Sequence, residues 1–250
     1  MSRLSRPCIP LLCYVTDRHD LISAGSSETR QLLDTRKILF EKIATAVAAG
    51  VDWIQIREKD LSGKECSSLT REAVRIAASS SLGASENIPK SSSTEATREQ
   101  ASTRLLVNDR LDVALAAHAG GVHLGEKSLP PEDAQRFLKS LGREKDFLIG
   151  VSCHSLEGAK AAERGGADYL FFGPVFATPS KAAYGDPQGL KRLTEVCSAV
   201  ALPVLAIGGI TLENAADCFS AGASGIAAIR LFQDASDMVS VVRELRILSD

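Results

Sequence analysis

The sequence predicts an α/β protein folded as a single (β/α)8, or TIM, barrel across residues 1–250, and two observations carry that prediction. Short apolar runs alternate with longer amphipathic stretches from end to end. The length of 250 residues is the usual size for eight βα units. The main rival is a doubly wound open sheet, which usually carries G-x-G-x-x-G after its first strand. Val15-Thr16-Asp17-Arg18-His19 contains no glycine at all.

In order, the predicted strands are Leu11–Val15, Trp53–Arg57, Leu105–Asn108, Gly121–His123, Leu148–Val151, Tyr169–Phe172, Val204–Ile207 and Gly225–Ile229. Several are continuous apolar runs, as expected when helices cover both ends of every side chain's reach in a parallel sheet. The predicted helices are Arg36–Ala49, Lys64–Ala78, Arg110–Ala117, Pro131–Leu141, Leu156–Arg164, Leu190–Val200, Leu212–Ala221 and Ser236–Leu248. One segment, at about 79–103, breaks the rhythm: it is rich in Ser, Thr, Glu and Ala and poor in large apolar residues. Too little apolar surface is available there to offset ordering entropy, so a flexible insertion is expected between the second helix and the third strand. That position hangs from the N-terminal face of a barrel, whereas active sites occupy the opposite face. A second polar stretch at 23–31 follows the first strand on the active-site side and reads as a loop, with a lid as the alternative.

Composition narrows the function classes. The chain is 44% hydrophobic and 24% charged with a net charge of -2, which offers neither the basic excess of a nucleic-acid binder nor an acidic tail. No apolar run approaches the ~20 residues that a membrane helix needs, and the N-terminus turns polar too soon for a signal peptide. Cys8, Cys13, Cys66, Cys153, Cys197 and Cys218 form no C-x-x-C pair. Reduced thiols in a cytoplasmic protein are therefore expected, rather than a zinc site or a disulfide framework.

Polar residues recur at the C-terminal ends of the strands, which a barrel gathers into one mouth. Gln55, Arg57 and Lys59 are spaced by two, so an extended strand puts them on one face, with Ile54, Ile56 and Glu58 on the other. An amide and two cations in a row demand either open water or an anion, because an unpaired buried charge costs several kcal/mol. Asn108 and Asp109 follow strand 3, His123 and Glu126 strand 4, Ser152 and His154 strand 5. Strand 6 opens into a loop carrying Thr178, Ser180 and Lys181, which can donate to an anion or simply be solvated. Gly208 and Gly209, with the residues after strand 8, suit a backbone phosphate cradle, although glycines also permit a plain tight turn. Asp109 can ligate Mg²⁺ or cap the following helix. His154 can carry a proton or be structural.

Taken in order, QIREK, VND, GVHLG, GVSCHS, GPVFATPSK, PQG and AIGGI resemble the thiamine-phosphate synthase superfamily from about Tyr14 to Phe232. The resemblance implies that a hydroxymethylpyrimidine diphosphate is joined to a thiazole phosphate with release of pyrophosphate. It implies a diphosphate site from Gln55, Arg57, Lys59, Asn108, Ser152 and Lys181, and a thiazole phosphate site from Thr178, Ser180, Gly208, Gly209 and the backbone near Ile229. Asp109 matches the first Mg²⁺ ligand. Arg57, Lys59, Lys181 and the metal would stabilise departing pyrophosphate in a dissociative reaction. Three positions depart from the family pattern. Gly125-Glu126-Lys127-Ser128 lacks the Asp expected at Ser128, with Glu126 as a substitute ligand or Lys127 in place of the metal's charge; Ser180 stands where Thr is usual, and Arg230 replaces a small Ser. The superfamily also contains a metal-free thiazole tautomerase, which Cys153–Glu157 and Asp168–Gly173 resemble, with His154 at its acid/base position. A non-catalytic phosphate-binding relative is the third reading. Partners expected from the resemblance are small phosphorylated substrates and, as an open possibility, a second copy of the chain.

Overall fold

The computed structural model describes residues 9–21, 28–83, 102–178 and 186–248. Eight parallel strands close into one barrel in sequence order: β1 (Leu11–Val15), β2 (Trp53–Ile56), β3 (Arg104–Asn108), β4 (Gly121–Leu124), β5 (Leu148–Cys153), β6 (Tyr169–Phe172), β7 (Val204–Ile207) and β8 (Gly225–Ala228). β8 pairs back onto β1, with Cys13 opposite Ala227. The helices between them are α1 (Glu28–Ala48), α2 (Gly63–Gly83), α3 (Leu111–Ala116), α4 (Pro131–Ser140), α5 (Leu156–Arg164), α6 (Gly189–Ala199), α7 (Leu212–Ser220), α8 (Arg230–Gln233) and α9 (Met238–Ile247).

Strand alternation divides the core in two. Leu12, Tyr14, Ile54, Ile56, Leu170 and Phe172 belong to the layer between strands and helices. Cys13, Val15, Trp53, Leu106, Leu148, Tyr169, Phe171, Leu205 and Ala227 fill the barrel interior. Successive residues of one strand therefore bury on opposite faces, which explains why these strands read as unbroken apolar runs rather than alternating ones. Helix ends use local signals: Ser155 caps α5 by accepting from Gly158 N, and Thr211 with Asn214 forms a capping box at α7.

Three of the boundaries that differ from the sequence expectation bear on the expected loop and insertion. α1 begins at Glu28, so residues 28–31 are helical rather than loop, and residues 22–27 lie outside the described residues. α2 continues through Gly83, five residues into the stretch expected to be an insertion from 79. Ser79 stays in register by donating to Arg75 O at 2.9 Å. At the other end Thr103 is buried and donates to Val51 O at 2.8 Å, directly before β3. The remainder of the expected insertion, 84–101, is outside the described residues. Among the described residues no helix is long and apolar enough to cross a membrane, and Cys13, Cys66, Cys153, Cys197 and Cys218 are buried free thiols.

Candidate active site

The C-terminal ends of the strands converge as expected, and of the polar residues read along β2 only Gln55 lies within the strand itself. Gln55 lies opposite Val15 and Leu106, both interior residues, and so faces the barrel interior. It is 2% exposed, and its Nε2 has no hydrogen-bond partner among the described residues. The strand ends one residue later. Arg57 N donates to Thr16 Oγ1 at 3.0 Å instead of extending the ladder, and its guanidinium reaches Asp17 Oδ2 at 3.3 Å. Lys59 is exposed in the turn that follows. Of the predicted row Gln55, Arg57 and Lys59, only Gln55 therefore lies within the strand, and Arg57 and Lys59 follow just past its end.

Glu58 follows two residues after the strand end. Its side chain is fully buried: Oε1 accepts from Thr16 Oγ1 at 2.6 Å, and Oε2 accepts from Arg18 N at 3.2 Å and Arg18 Nη1 at 3.0 Å. The same guanidinium forks onto both oxygens of Asp60, and this hydrogen bonding holds the Asp60 carboxyl well below the usual carboxylate range. Sequence reading missed Arg18 entirely. The available signal was a cation just past the first strand facing two carboxylates, Glu58 and Asp60, just past the second.

After β3, Asn108 stands opposite His123. Asp109 adopts φ 65, and its N–H donates to His123 O at 2.8 Å. That left-handed turn costs a non-glycine residue about 1–3 kcal/mol, and Asp is one of the few that tolerate it. Helix capping does not explain Asp109, because the N-cap of α3 is Arg110 and makes no side-chain cap hydrogen bond.

β4 and β5 contribute a buried pair. His123 Nε2 is 2.8 Å from Ser152 Oγ, and its Nδ1 is 3.1 Å from Tyr169 Oη. Burial lowers the His123 pKa to about 3, which keeps the ring neutral. Above it, Ser128 Oγ accepts from Gly125 N at 2.8 Å and closes the β4 loop on itself. Glu126 Oε1 accepts from His154 N at 3.3 Å, tying that loop to the turn between β5 and α5. His154 donates through Nδ1 to Gly173 O, a carbonyl that can only accept, so Nε2 is the nitrogen left for other chemistry. Asp168, part of the tautomerase-like phrase, lies instead at the far end of β6 and accepts from Ile149 N at 2.8 Å.

On the opposite rim, Arg230 Nη2 donates to Thr178 Oγ1 at 3.3 Å across 52 residues of sequence. Ser180 and Lys181 lie outside the described residues. Gly208 and Gly209 have φ 96 and 67. A Cβ on Gly208 would stand 2.5 Å from Pro174 Cβ, and one on Gly209 2.5 Å from Ala177 O. The pair thus lets the end of β7 press against the loop that carries Thr178, with Ile229 entering α8 beside them. Among the described residues no group of three or more His, Cys, Asp or Glu gathers as a metal cage.

Comparison with known proteins agrees with this arrangement. The sequence profile of the family described as thiamine monophosphate synthase matches residues 28–232. The thiamine-phosphate synthase of Moorella thermoacetica is 40% identical over 206 residues, covering 82% of this chain and 86% of that protein. The thiamine-phosphate synthase of Methanoculleus marisnigri is 41% identical over 201 residues, covering 80% of this chain and 83% of that protein. Among solved structures, thiamine phosphate pyrophosphorylase from Pyrococcus furiosus superposes with a TM-score of 0.70 at 30% identity, covering 96% of this chain and 95% of that one.

Proposed function

Because the chain belongs to the thiamine monophosphate synthase family, we propose that it joins hydroxymethylpyrimidine diphosphate to a thiazole phosphate and releases pyrophosphate, as one barrel domain over residues 1–250. The observation that carries this reading is the orphaned amide of Gln55, a buried donor on the inner wall with no protein partner among the described residues. Native structures rarely leave such a group unpaired, and a ligand acceptor is the simplest remedy.

Gln55, Asn108 and Ser152 would bind the pyrimidine diphosphate, with Arg57, Lys59 and Lys181 neutralising the pyrophosphate as its bond to the methylene carbon lengthens. Arg57 suits that task because Thr16 and Asp17 already hold its backbone and side chain, so little reorganisation is needed when charge develops. Thr178, Ser180, Arg230 and the backbone of Gly208, Gly209 and Ile229 would take the thiazole phosphate. His154 stands at the rim with Nε2 available for a proton.

The donor set suits Mg²⁺ rather than zinc or calcium. Mg²⁺ takes one or two carboxylates and fills its remaining positions with water and phosphate oxygens, which matches isolated carboxylates better than a cage. Asp109 and Glu126 would hold it, and it would supply positive charge to the diphosphate oxygens. The substrates are small phosphorylated molecules, with no nucleic acid or membrane involved, and the chain acts in the cytoplasm. The test is incubation of the purified protein with both phosphorylated substrates over a Mg²⁺ series while thiamine phosphate is followed. Formation of product that is lost in Arg57→Ala is expected; no product at any Mg²⁺ concentration would sink the reading.

A further inference from the structure

We infer that Tyr169 and His123 act as a positioning pair that fixes the Ser152 hydroxyl as a hydrogen-bond donor toward the barrel mouth. The role of Ser152 toward an anion rests on the function proposed above; the polarity of the pair rests on the geometry alone.

Tyr169 is 0% exposed, and the one hydrogen-bond partner of its hydroxyl among the described residues is His123 Nδ1 at 3.1 Å. A buried phenol has one proton to donate and seeks an acceptor for it. With Nδ1 accepting, the neutral imidazole carries its own proton on Nε2. Nε2–H then donates to Ser152 Oγ at 2.8 Å. Having accepted from the ring, Ser152 sends its own hydrogen elsewhere, and its half-buried position leaves the barrel mouth as the open side.

The opposite polarity fails at both ends. Nδ1–H would donate to Tyr169, stranding the phenol proton, and Ser152 would spend its hydrogen on Nε2 and turn lone pairs outward. An anion would then meet acceptors rather than a donor. Packing keeps the relay in place: the His123 and Phe171 rings are 4.1 Å apart and the Trp53 and Tyr169 rings 4.5 Å apart, centroid to centroid. Gly150 clears the space that the Tyr169 ring occupies, since a Cβ there would fall 2.0 Å from Tyr169 Cζ. Neither Tyr169 nor His123 needs to touch a substrate for this to work.

Imidazole ¹⁵N correlation spectra of the histidine-labelled, ligand-free protein test the polarity directly, with the His123 signal assigned through His123→Gln. An Nε2–H tautomer is expected, becoming mixed in Tyr169→Phe; an Nδ1–H tautomer in the wild type would overturn the inference. A second arm titrates inorganic pyrophosphate with Mg²⁺ into wild type, Ser152→Ala, Tyr169→Phe and the double variant. Tyr169→Phe should weaken binding by about three- to ten-fold in the wild type and not further in Ser152→Ala. Equal weakening in both backgrounds would show that the pair does not act through Ser152. If wild type failed to bind pyrophosphate at all, the diphosphate reading would fall, while the tautomer would still decide the polarity of the pair.

Discussion

Replacing Gly150 by Ala should be among the most damaging single-methyl additions to this barrel. A Cβ at position 150 would lie 2.0 Å from Tyr169 Cζ, 2.3 Å from its Oη and 2.5 Å from Cε2. Ordinary carbon contact begins near ~3.5 Å, so the ring must retreat by roughly 1.5 Å. It has little room to do so: Trp53, His123 and Phe171 surround it with centroids 4.5, 5.5 and 5.5 Å away. Overpacking of this kind costs about 1–3 kcal/mol, and losing the Tyr169–His123 hydrogen bond adds about 1 kcal/mol. A chain of this length melts roughly 2–4 °C lower per kcal/mol, so the melting temperature should fall by roughly 5–15 °C. Calorimetry on Gly150→Ala, Tyr169→Leu and the double variant provides the assay. With the aromatic ring gone, the added methyl should cost nothing and can regain the ~0.5–1 kcal/mol that glycine forfeits in a strand. Two results would refute the reasoning: Gly150→Ala melting within about 1 °C of wild type, or the same loss in the Tyr169→Leu background.

Further tests probe the charged groups around the mouth. Arg18→Met should destabilise by about 3–5 kcal/mol in urea unfolding because it strands Glu58, whose side chain is 0% exposed; a change under about 1 kcal/mol would show that Thr16 alone satisfies the carboxylate. Since the folded pKa of His123 is depressed to about 3 from 6.5, the unfolded chain binds the extra proton below pH 6.5, and stability must fall as pH drops from there toward 3. Between pH 6.5 and 5 the loss is roughly 2 kcal/mol, and His123→Gln should remove that part of the slope; an unchanged slope would assign it elsewhere. Ser128→Asp supplies the carboxylate that the family resemblance implies at this position and can keep the bond from Gly125 N, so the Mg²⁺ concentration for half-maximal activity should fall several-fold, whereas an unchanged value would argue against a metal at this loop.

How much could be read without coordinates depended on the range of the interaction. Strands β1, β6 and β7 match their predicted bounds residue for residue, because each is an apolar run flanked by turn residues, and burial on both faces keeps the run intact. The gathering of Gln55, Asn108, Ser152 and Thr178 at one end followed from topology alone. What could not be read is the partner of each charge. Nothing local says that Glu58 pairs with Arg18, and the predicted strand ran one residue past the true end of β2 at Ile56, with Lys59 three residues past it. His123 was noted only as a polar residue at a strand end. Its role depends on Tyr169, 46 residues further on, and on Gly150, whose lack of a side chain leaves room for the Tyr169 ring.

These long-range contacts also bear on two of the departures from the family pattern. Ser128 does not stand where a lost ligand has left a loop to collapse: its hydroxyl accepts from Gly125 N and keeps the β4 turn closed. Glu126, in that turn, is exposed but accepts from His154 N in the turn between β5 and α5, which holds its carboxylate at the rim. Arg230 is likewise tied to Thr178, so the larger side chain links two strand ends. Both substitutions are therefore accommodated by specific hydrogen bonds. A mouth decaying after loss of activity would be expected to accumulate unpaired groups, yet the buried side-chain atoms without partners among the described residues include only one on its inner wall, Gln55 Nε2. An amide kept dry and unpaired there, between satisfied neighbours, is best understood as a donor awaiting a ligand.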